Sequence, residues 1–446
     1  NALAHLDECG SLFKPDPEDV TAVADALRRI KAQDNLFADA LCSKLESVLV
    51  CCRALSRSYS LAVTNPPYMG SSNMNKWLSV WVKKQYPNTY RDLCTCFIER
   101  CVEMIGADGY TGLATTNSWM FLSSFEKLRA SLISGHSLVS LVQLSVHGFK
   151  GIAAQVCTFV ISGDHAPESQ GGFVRLNDFD HHSLQEEKTL EAIANPSCGW
   201  FYRRFSDSFK SIPGTPIAYW AHPVLVRAFA KAPALGGRLE TREGMATANN
   251  ERFVMEWFEV AYGSVGFCCK NAEEATASRR KWFPYQKGGD FRRWFGNNQK
   301  VVFWYNDGEA IKNNTDPQTG RIRSHNYNGS FAFQPGITWS ALSSANIHVR
   351  YSDPGYLFDS KGAKGFSETE DECLYSLALI NSSVASEFLK FLAPTLDFKV
   401  GDIVQIPDYG IRIEEIAQKA RLLVRMAKGD WDYRETSWGY KRCPLV

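Results

Sequence analysis

Leu61-Ala62-Val63-Thr64-Asn65-Pro66-Pro67-Tyr68 decides how the rest of this 446-residue sequence is read. A short apolar strand stops at a polar side chain, two prolines and a tyrosine. Proline has no backbone N–H and a fixed φ, so a β-ladder cannot run through Pro66 and Pro67, and the turn they make is stiff. At average composition the tetrapeptide Asn65–Tyr68 arises by chance in roughly one chain in a thousand of this length.

These residue types suit one kind of chemistry. An aromatic amine such as N6 of adenine is a poor nucleophile, because its lone pair is delocalised into the ring. A protein that alkylates it has to hold both N–H groups and draw the lone pair out of the ring plane. The side-chain oxygen of Asn65 and the carbonyl of Pro66 are two acceptors held in place by the proline pair. Tyr68 offers a face on which an extruded base can stack. Asparagine is too weak a base to take the proton first, so proton loss follows methyl transfer. A rigid turn with a buried tyrosine would use the same residues. The same tetrapeptide also serves enzymes acting on a protein glutamine or an RNA base amine.

Outward from the motif, residues 59–165 alternate between strand and helix. Asp92 to Ile105 places Leu93, Phe97, Ile98, Val102 and Ile105 on one helical side. Asp108-Gly109 leads into a strand, Tyr110 to Thr116. Ser123-Ser124-Phe125-Glu126 fits a capping box opening a helix to about Ile133. Strands follow at Leu138–Leu144 and Val156–Ile161. The alternation predicts part of a doubly wound α/β sheet ending in an antiparallel hairpin. Residues 1–58 read as a helical lead-in, with a helix start at Asp16-Pro17-Glu18-Asp19-Val20. Residues 166–200 read as a linker with one short helix, and 201–410 as a separate α+β domain with strand-like runs such as Val301–Tyr305. A helix near Leu374–Leu392 and another at Ile411–Lys428 follow, the last within a C-terminal helix and tail, 411–446.

Bulk composition sets few limits. The sequence is 45% hydrophobic and 22% charged, ordinary for a globular protein. It contains no run of ~18 uncharged apolar residues, so no transmembrane helix and no membrane partner is expected. Its start resembles no signal peptide, and the expected location is the cytoplasm. Residue 1 is not methionine, which suggests a piece of a longer protein. The 13 cysteines lack metal-ligand spacing and read as reduced, packed thiols, with no metal expected. Net charge is +1, but residues 201–330 hold 19 basic against 12 acidic residues, a basic segment suited to nucleic acid.

Val63-Thr64-Asn65-Pro66-Pro67-Tyr68-Met69-Gly70, with Asp92-Leu93, Phe97-Ile98-Glu99-Arg100 and Asn117-Ser118-Trp119-Met120-Phe121-Leu122, resembles the PglX family. These are adenine-specific DNA methyltransferases of BREX phage-defence systems, related to fused restriction–modification enzymes. Ile212-Pro213-Gly214-Thr215-Pro216, Lys281-Trp282-Phe283-Pro284-Tyr285, Trp304-Tyr305-Asn306-Asp307-Gly308, Thr395-Leu396-Asp397-Phe398 and Asp430-Trp431-Asp432 extend the resemblance from about residue 60 to the end. It implies an incomplete Rossmann-like methyltransferase sheet, the C-terminal half, at 59–165. A target-recognition domain at 201–410 and C-terminal helices would follow. It implies Asn65, Pro66, Pro67 and Tyr68 as catalytic residues, with Phe149 stacking the base against Tyr68. S-adenosylmethionine would be the cofactor of the full-length enzyme, with Asn65 a partial contact. Double-stranded DNA, and other phage-defence proteins, would be the partners.

One departure stands out. The family places a strand and an Asp-Pro-Ala-Cys-Gly-Ser-Gly-like loop before this motif, where the backbone approaches the methyl donor closely. Cys9-Gly10-Ser11 is not such a loop, so the chain alone is expected to bind the donor weakly and to be inactive. The run Arg279, Arg280, Lys281, Lys287, Arg292, Arg293 and Lys300 holds one acid, Asp290, and interleaves Trp282, Phe283, Tyr285, Phe291, Trp294 and Phe295. These seven are the candidate DNA contacts. A solvated face over a small aromatic core would have the same composition. The competing function is a DNA-binding or assembly module without catalysis.

Overall fold

The structure, a computed structural model, describes residues 5–31, 39–146, 154–179, 181–267, 269–342, 346–394 and 397–442. It divides into two units, Asn1–His222 and Pro223–Val446. Among the described residues no helix is long and apolar enough to cross a membrane, and the eleven described cysteines are free thiols.

The first unit is built on six strands, β1 (Tyr59–Thr64), β2 (Ile105–Thr116), β3 (Ser137–Gln143), β4 (Val156–Ser162), β5 (Gln170–Arg175) and β6 (Phe201–Phe205). They lie in the order β1-β2-β4-β3-β5-β6. β1 and β2 are parallel, with Thr64 opposite Leu113. β4 runs antiparallel to both β2 and β3. Side chains alternate across the pleat. Leu113 of β2, Leu141 of β3 and Cys157, Phe159 and Ile161 of β4 therefore enter one core. Ile98, Trp119, Met120, Leu128 and Tyr219 close it from outside the sheet. The opposite face is open at the β1 end, where Leu61 and Val63 are 63% and 71% exposed and Tyr110 is also exposed. β1 is an edge strand of the sheet.

Helices occur at Pro17–Lys31 and Asp39–Leu55 before the sheet, and at Leu93–Met104 and Glu126–Gly135 within it. The capping-box expectation at Ser123 is corrected. A 3-10 turn, Ser123–Phe125, precedes the helix, and neither segment has a side-chain cap bond. The buried guanidinium of Arg129 secures this corner instead. It donates to the carbonyls of Trp119 (2.9 Å), Leu122 (2.7 Å) and Gly214 (2.6 and 2.9 Å).

The reading of 166–200 as a linker is also corrected. β5 pairs with β3, and a 13-residue helix, His182–Ala194, follows it. β6 then pairs with β5. The first unit therefore ends at His222, not near 200.

The second unit holds β7 (Glu240–Arg242), β8 (Val254–Glu256), β9 (Trp282–Gln286), β10 (Lys300–Phe303), β11 (Gly336–Trp339), β12 (Val349–Ser352), β13 (Leu357–Phe358) and β14 (Lys364–Phe366). They form two four-stranded sheets, β13-β9-β10-β8 and β12-β11-β14-β7. Phe253, Phe283, Tyr285, Val302, Trp304, Phe333 and Leu357 form an aromatic core. The single helix expected near Leu374–Leu392 is two, Glu370–Ile380 and Ser383–Leu392. The last helix, Ile413–Asp432, belongs to this unit and is no separate tail. Its Arg421 pairs with Asp371 (2.7 Å) and Glu370 (3.1 Å).

Candidate active site

The motif lies at the carboxyl end of β1, beside the carboxyl end of β2. In parallel α/β sheets this is where loops converge and ligands bind. The ladder ends at Thr64, as the two prolines require. Pro66 is buried while Asn65 and Pro67 are exposed. The chain then turns so that the Tyr68 hydroxyl donates to Asn65 Oδ1 at 3.2 Å. Burial raises the Tyr68 pKa, with smaller contributions from Cys94 and Cys157, so the phenol stays a donor at neutral pH.

Asp92 holds the far side of the turn. Its Oδ1 accepts from the Met69 amide at 3.2 Å and from the Cys94 amide at 3.0 Å, capping the helix Leu93–Met104. The Leu93 amide donates to the Met69 carbonyl at 3.0 Å, and the Ser71 amide to the Arg91 carbonyl at 2.9 Å. One carboxylate thus ties the loop after Tyr68 to a helix start that is buried at Leu93 and Cys94. Sequence reading assigned Asp92 no role, although an Asp just before an apolar-periodic run is an N-cap signal.

The end of β2 supplies a polar rim. Thr116 Oγ1 lies 3.6 Å from Cys94 Sγ and 3.1 Å from Ser118 Oγ. Asn117 donates through Nδ2 to Gln155 Oε1 and through its amide to the Gln155 carbonyl, both at 3.0 Å. This joins β2 to the residue just before β4. Phe149 lies outside the described residues.

The seven basic residues of the second unit are not equivalent. Arg279, Arg280 and Lys281 are exposed ahead of β9 and form no ion pair among the described residues. Lys287 is held by the buried carboxylate of Asp359 at 2.9 Å and by Asn250 at 3.0 Å. Lys300 pairs with Glu256 across β10 and β8. Arg292 reaches Asp430 at 3.2 Å and lies over the Trp431 ring. Arg293 lies over Phe291, and its Nε is buried without an acceptor. Sequence reading missed Arg350 and His348 on or beside β12, which lie close to this run. In a strand they read as ordinary polar positions.

Residues 14–149 match the family model described as Eco57I restriction-modification methylase. The adenine-specific methyltransferase PglX of Lacticaseibacillus casei (strain Zhang) is 39% identical over 392 residues, covering 87% of this chain and 32% of that protein. The adenine-specific methyltransferase BrxX of Escherichia coli O9:H4 (strain HS) is 31% identical over 447 residues, covering 98% of this chain and 35% of that one. Among solved structures, the Type IIL restriction-modification enzyme MmeI in complex with DNA aligns with a TM-score of 0.54 at 11% identity, over 86% of this chain and 51% of that one. That likeness is one of fold. The class these matches define is the restriction-modification type of methylase. Within it, the chain is similar to the adenine-specific methyltransferases PglX and BrxX, and it spans about a third of the length of these relatives.

Proposed function

We propose that this chain is the base-binding and target-recognition portion of an S-adenosylmethionine-dependent DNA adenine N6-methyltransferase of a phage-defence system. The observation that carries the reading is the Asn65–Tyr68 turn at the carboxyl end of β1, locked by Asp92. An adenine extruded from the duplex would stack on Tyr68. Its amino group would donate one hydrogen to Asn65 Oδ1 and the other to the Pro66 carbonyl. Both acceptors sit on a backbone the prolines make stiff, so they are placed before the base arrives. As the amine becomes cationic, these two oxygens bind it more tightly than they bind the neutral base, which lowers the barrier.

The described residues fit the base and not the methyl donor. Among the described residues no Gly-rich turn leaves a strand next to β1, and the edge and one face of β1 are open. The catalytic role therefore falls to the full-length protein. The second unit, with its exposed Arg279, Arg280 and Lys281, would engage double-stranded DNA through phosphates first. Substituting Asn65→Ala in the full-length protein should lower N6-methyladenine formation by ~100-fold or more, by analogy with losing one preorganised hydrogen-bonding group. Methylation at the wild-type rate would refute the role given to Asn65. A non-catalytic binding module is the second reading, favoured by the missing donor site. It predicts that Asn65→Ala leaves every function of the full-length protein intact.

A further inference from the structure

Three arginines among the described residues are buried, and two of them are satisfied by backbone oxygens. Arg100 donates to the carbonyls of Ser11, Phe13 and Leu55. Arg129 donates to those of Trp119, Leu122 and Gly214. Arg350, on β12, differs. It is 0% exposed, and among the described residues none of its three guanidinium nitrogens has a hydrogen-bond acceptor. Burial, and after it the charge of Arg292, pushes its pKa down to about 10. An unpaired buried cation is among the least favourable groups a fold can carry. When one persists, a missing partner is the first explanation to test.

The surroundings are cationic as well. Alternation along β12 turns Arg350 and Ser352 to one face, His348 stands just before the strand, and all three are buried. The segment Arg292–Trp294 runs alongside. The Trp294 amide donates to the Val349 carbonyl at 2.9 Å, and the Tyr351 amide to the Trp294 carbonyl at 2.7 Å. Arg293 Nε is buried and unpaired, and its guanidinium lies 5.5 Å from the Phe291 ring. That ring lies 5.1 Å from the ring of His348. Burial and then Arg350 hold the His348 pKa down, against the backbone of Asn346 and Gly289. Among the described residues, the one carboxylate bonded to any of these cations is Asp430, on Arg292.

We propose that Arg350, Arg293 and His348, beneath Phe291, form a receptor for an oxyanion, and that in the DNA complex this anion is a backbone phosphodiester. The assignment of the source rests on the reading of the second unit as DNA-binding. A guanine edge offers acceptors but no net charge. Two guanidinium groups without a carboxylate between them call for a full negative charge, and their planar forks match tetrahedral oxygens. Access requires the covering loop to move. Phe291 is 57% exposed, so its ring can swing without unpacking the core. Gly288, Gly289 and Gly296 flank it with φ of +84°, +125° and +127°, backbone states that glycine adopts freely.

The test uses the full chain as wild type, Arg350→Met and Arg293→Gln. Inorganic phosphate is titrated against chloride at matched ionic strength while the thermal midpoint is read. Phosphate should raise the wild-type midpoint above chloride and leave Arg350→Met unmoved. Without phosphate, Arg350→Met should be no less stable than wild type, because an unpaired charge is removed. In DNA binding, Arg350→Met should weaken all sequences alike and reduce the slope of log K against log salt by about 0.9, one phosphate contact. No phosphate effect on the wild type overturns the receptor. A loss confined to one DNA sequence overturns the phosphodiester in favour of a base. A phosphate effect in a chain that binds no DNA keeps the receptor and overturns its DNA source. Should Arg350→Met fail to fold, Arg293→Gln carries the same expectations, since its guanidinium lies nearer the surface.

Discussion

Asn65 and Tyr68 share a hydrogen bond, which on the proposed function an incoming base has to replace. The bond is long and its partners are largely open to water, so it contributes on the order of 1 kcal/mol or less. It fixes Asn65 Oδ1 beside the Tyr68 hydroxyl. Tyr68→Phe keeps the stacking face and should slow single-turnover methylation by the full-length protein less than tenfold. Tyr68→Ala removes the face and should slow it far more. Equal effects would place the role of Tyr68 in its hydroxyl. Asp92 acts through the backbone. Asp92→Ala removes a helix cap and the tether on Met69, and should cost about 1 kcal/mol in urea unfolding. Asp92→Asn keeps an acceptor oxygen and should recover most of both stability and methylation rate. Recovery of stability alone would show that the tether does not position the motif.

At the scale of elements, local pattern and structure agree where burial is periodic. The helix Leu93–Met104 is legible because its apolar residues recur at helical spacing, and β1 because its short apolar run stops at Asn65-Pro66-Pro67. β5 is not. Gln170-Gly171-Gly172-Phe173-Val174-Arg175 reads as a turn, yet a Cβ on Gly171 would stand 2.2 Å from the Leu138 carbonyl. The glycine is there because the β3 backbone passes too close for a side chain. The break after Ile380 was hidden for a related reason. Asn381 bonds through its side chain to the Val349 amide and carbonyl, at 3.0 and 2.9 Å, and Ser382 caps the next helix. The Asn381 contacts reach a strand 32 residues away in sequence. The candidate site divides the same way. Asn65 and Tyr68 are readable as a motif, while Arg350 becomes notable only when its missing partner is seen. Arg129 supplies the element-scale prediction. Arg129→Met would leave carbonyls of Trp119, Leu122 and Gly214 without donors, at about 3 kcal/mol or more. Chemical unfolding of the first unit measures it, and a cost below 1 kcal/mol would show that water replaces the guanidinium.

For the whole molecule, stability should depend on pH through Lys364. Its ammonium is fully buried on β14, donates to the Gln334 carbonyl at 2.5 Å and lies over Phe366. Burial outweighs these contacts and lowers its pKa to about 7. An unfolded lysine titrates near ~10.4. Between those values the unfolded chain holds a proton that the folded chain has lost, so stability rises with pH over that window. Lys364→Met should remove that part of the rise and be the more stable protein at pH 6. An unchanged slope in the variant would show that the lysine stays charged. Donor binding is the other whole-chain expectation. Calorimetry with S-adenosylmethionine should find no submicromolar site on this chain, and such a site would overturn the division of labour proposed above.

The bare edge of β1 has a consequence for handling the chain. A strand whose outer edge pairs with no other strand among the described residues, and which carries exposed Leu61 and Val63, is a template for any other strand that meets it. Two copies in concentrated solution can satisfy each other along that edge, and further chains can extend the stack. A preparation of this chain should therefore form aggregates that grow with concentration. A charge at Leu61, on the face away from the core, should keep it monodisperse without touching the motif four residues on.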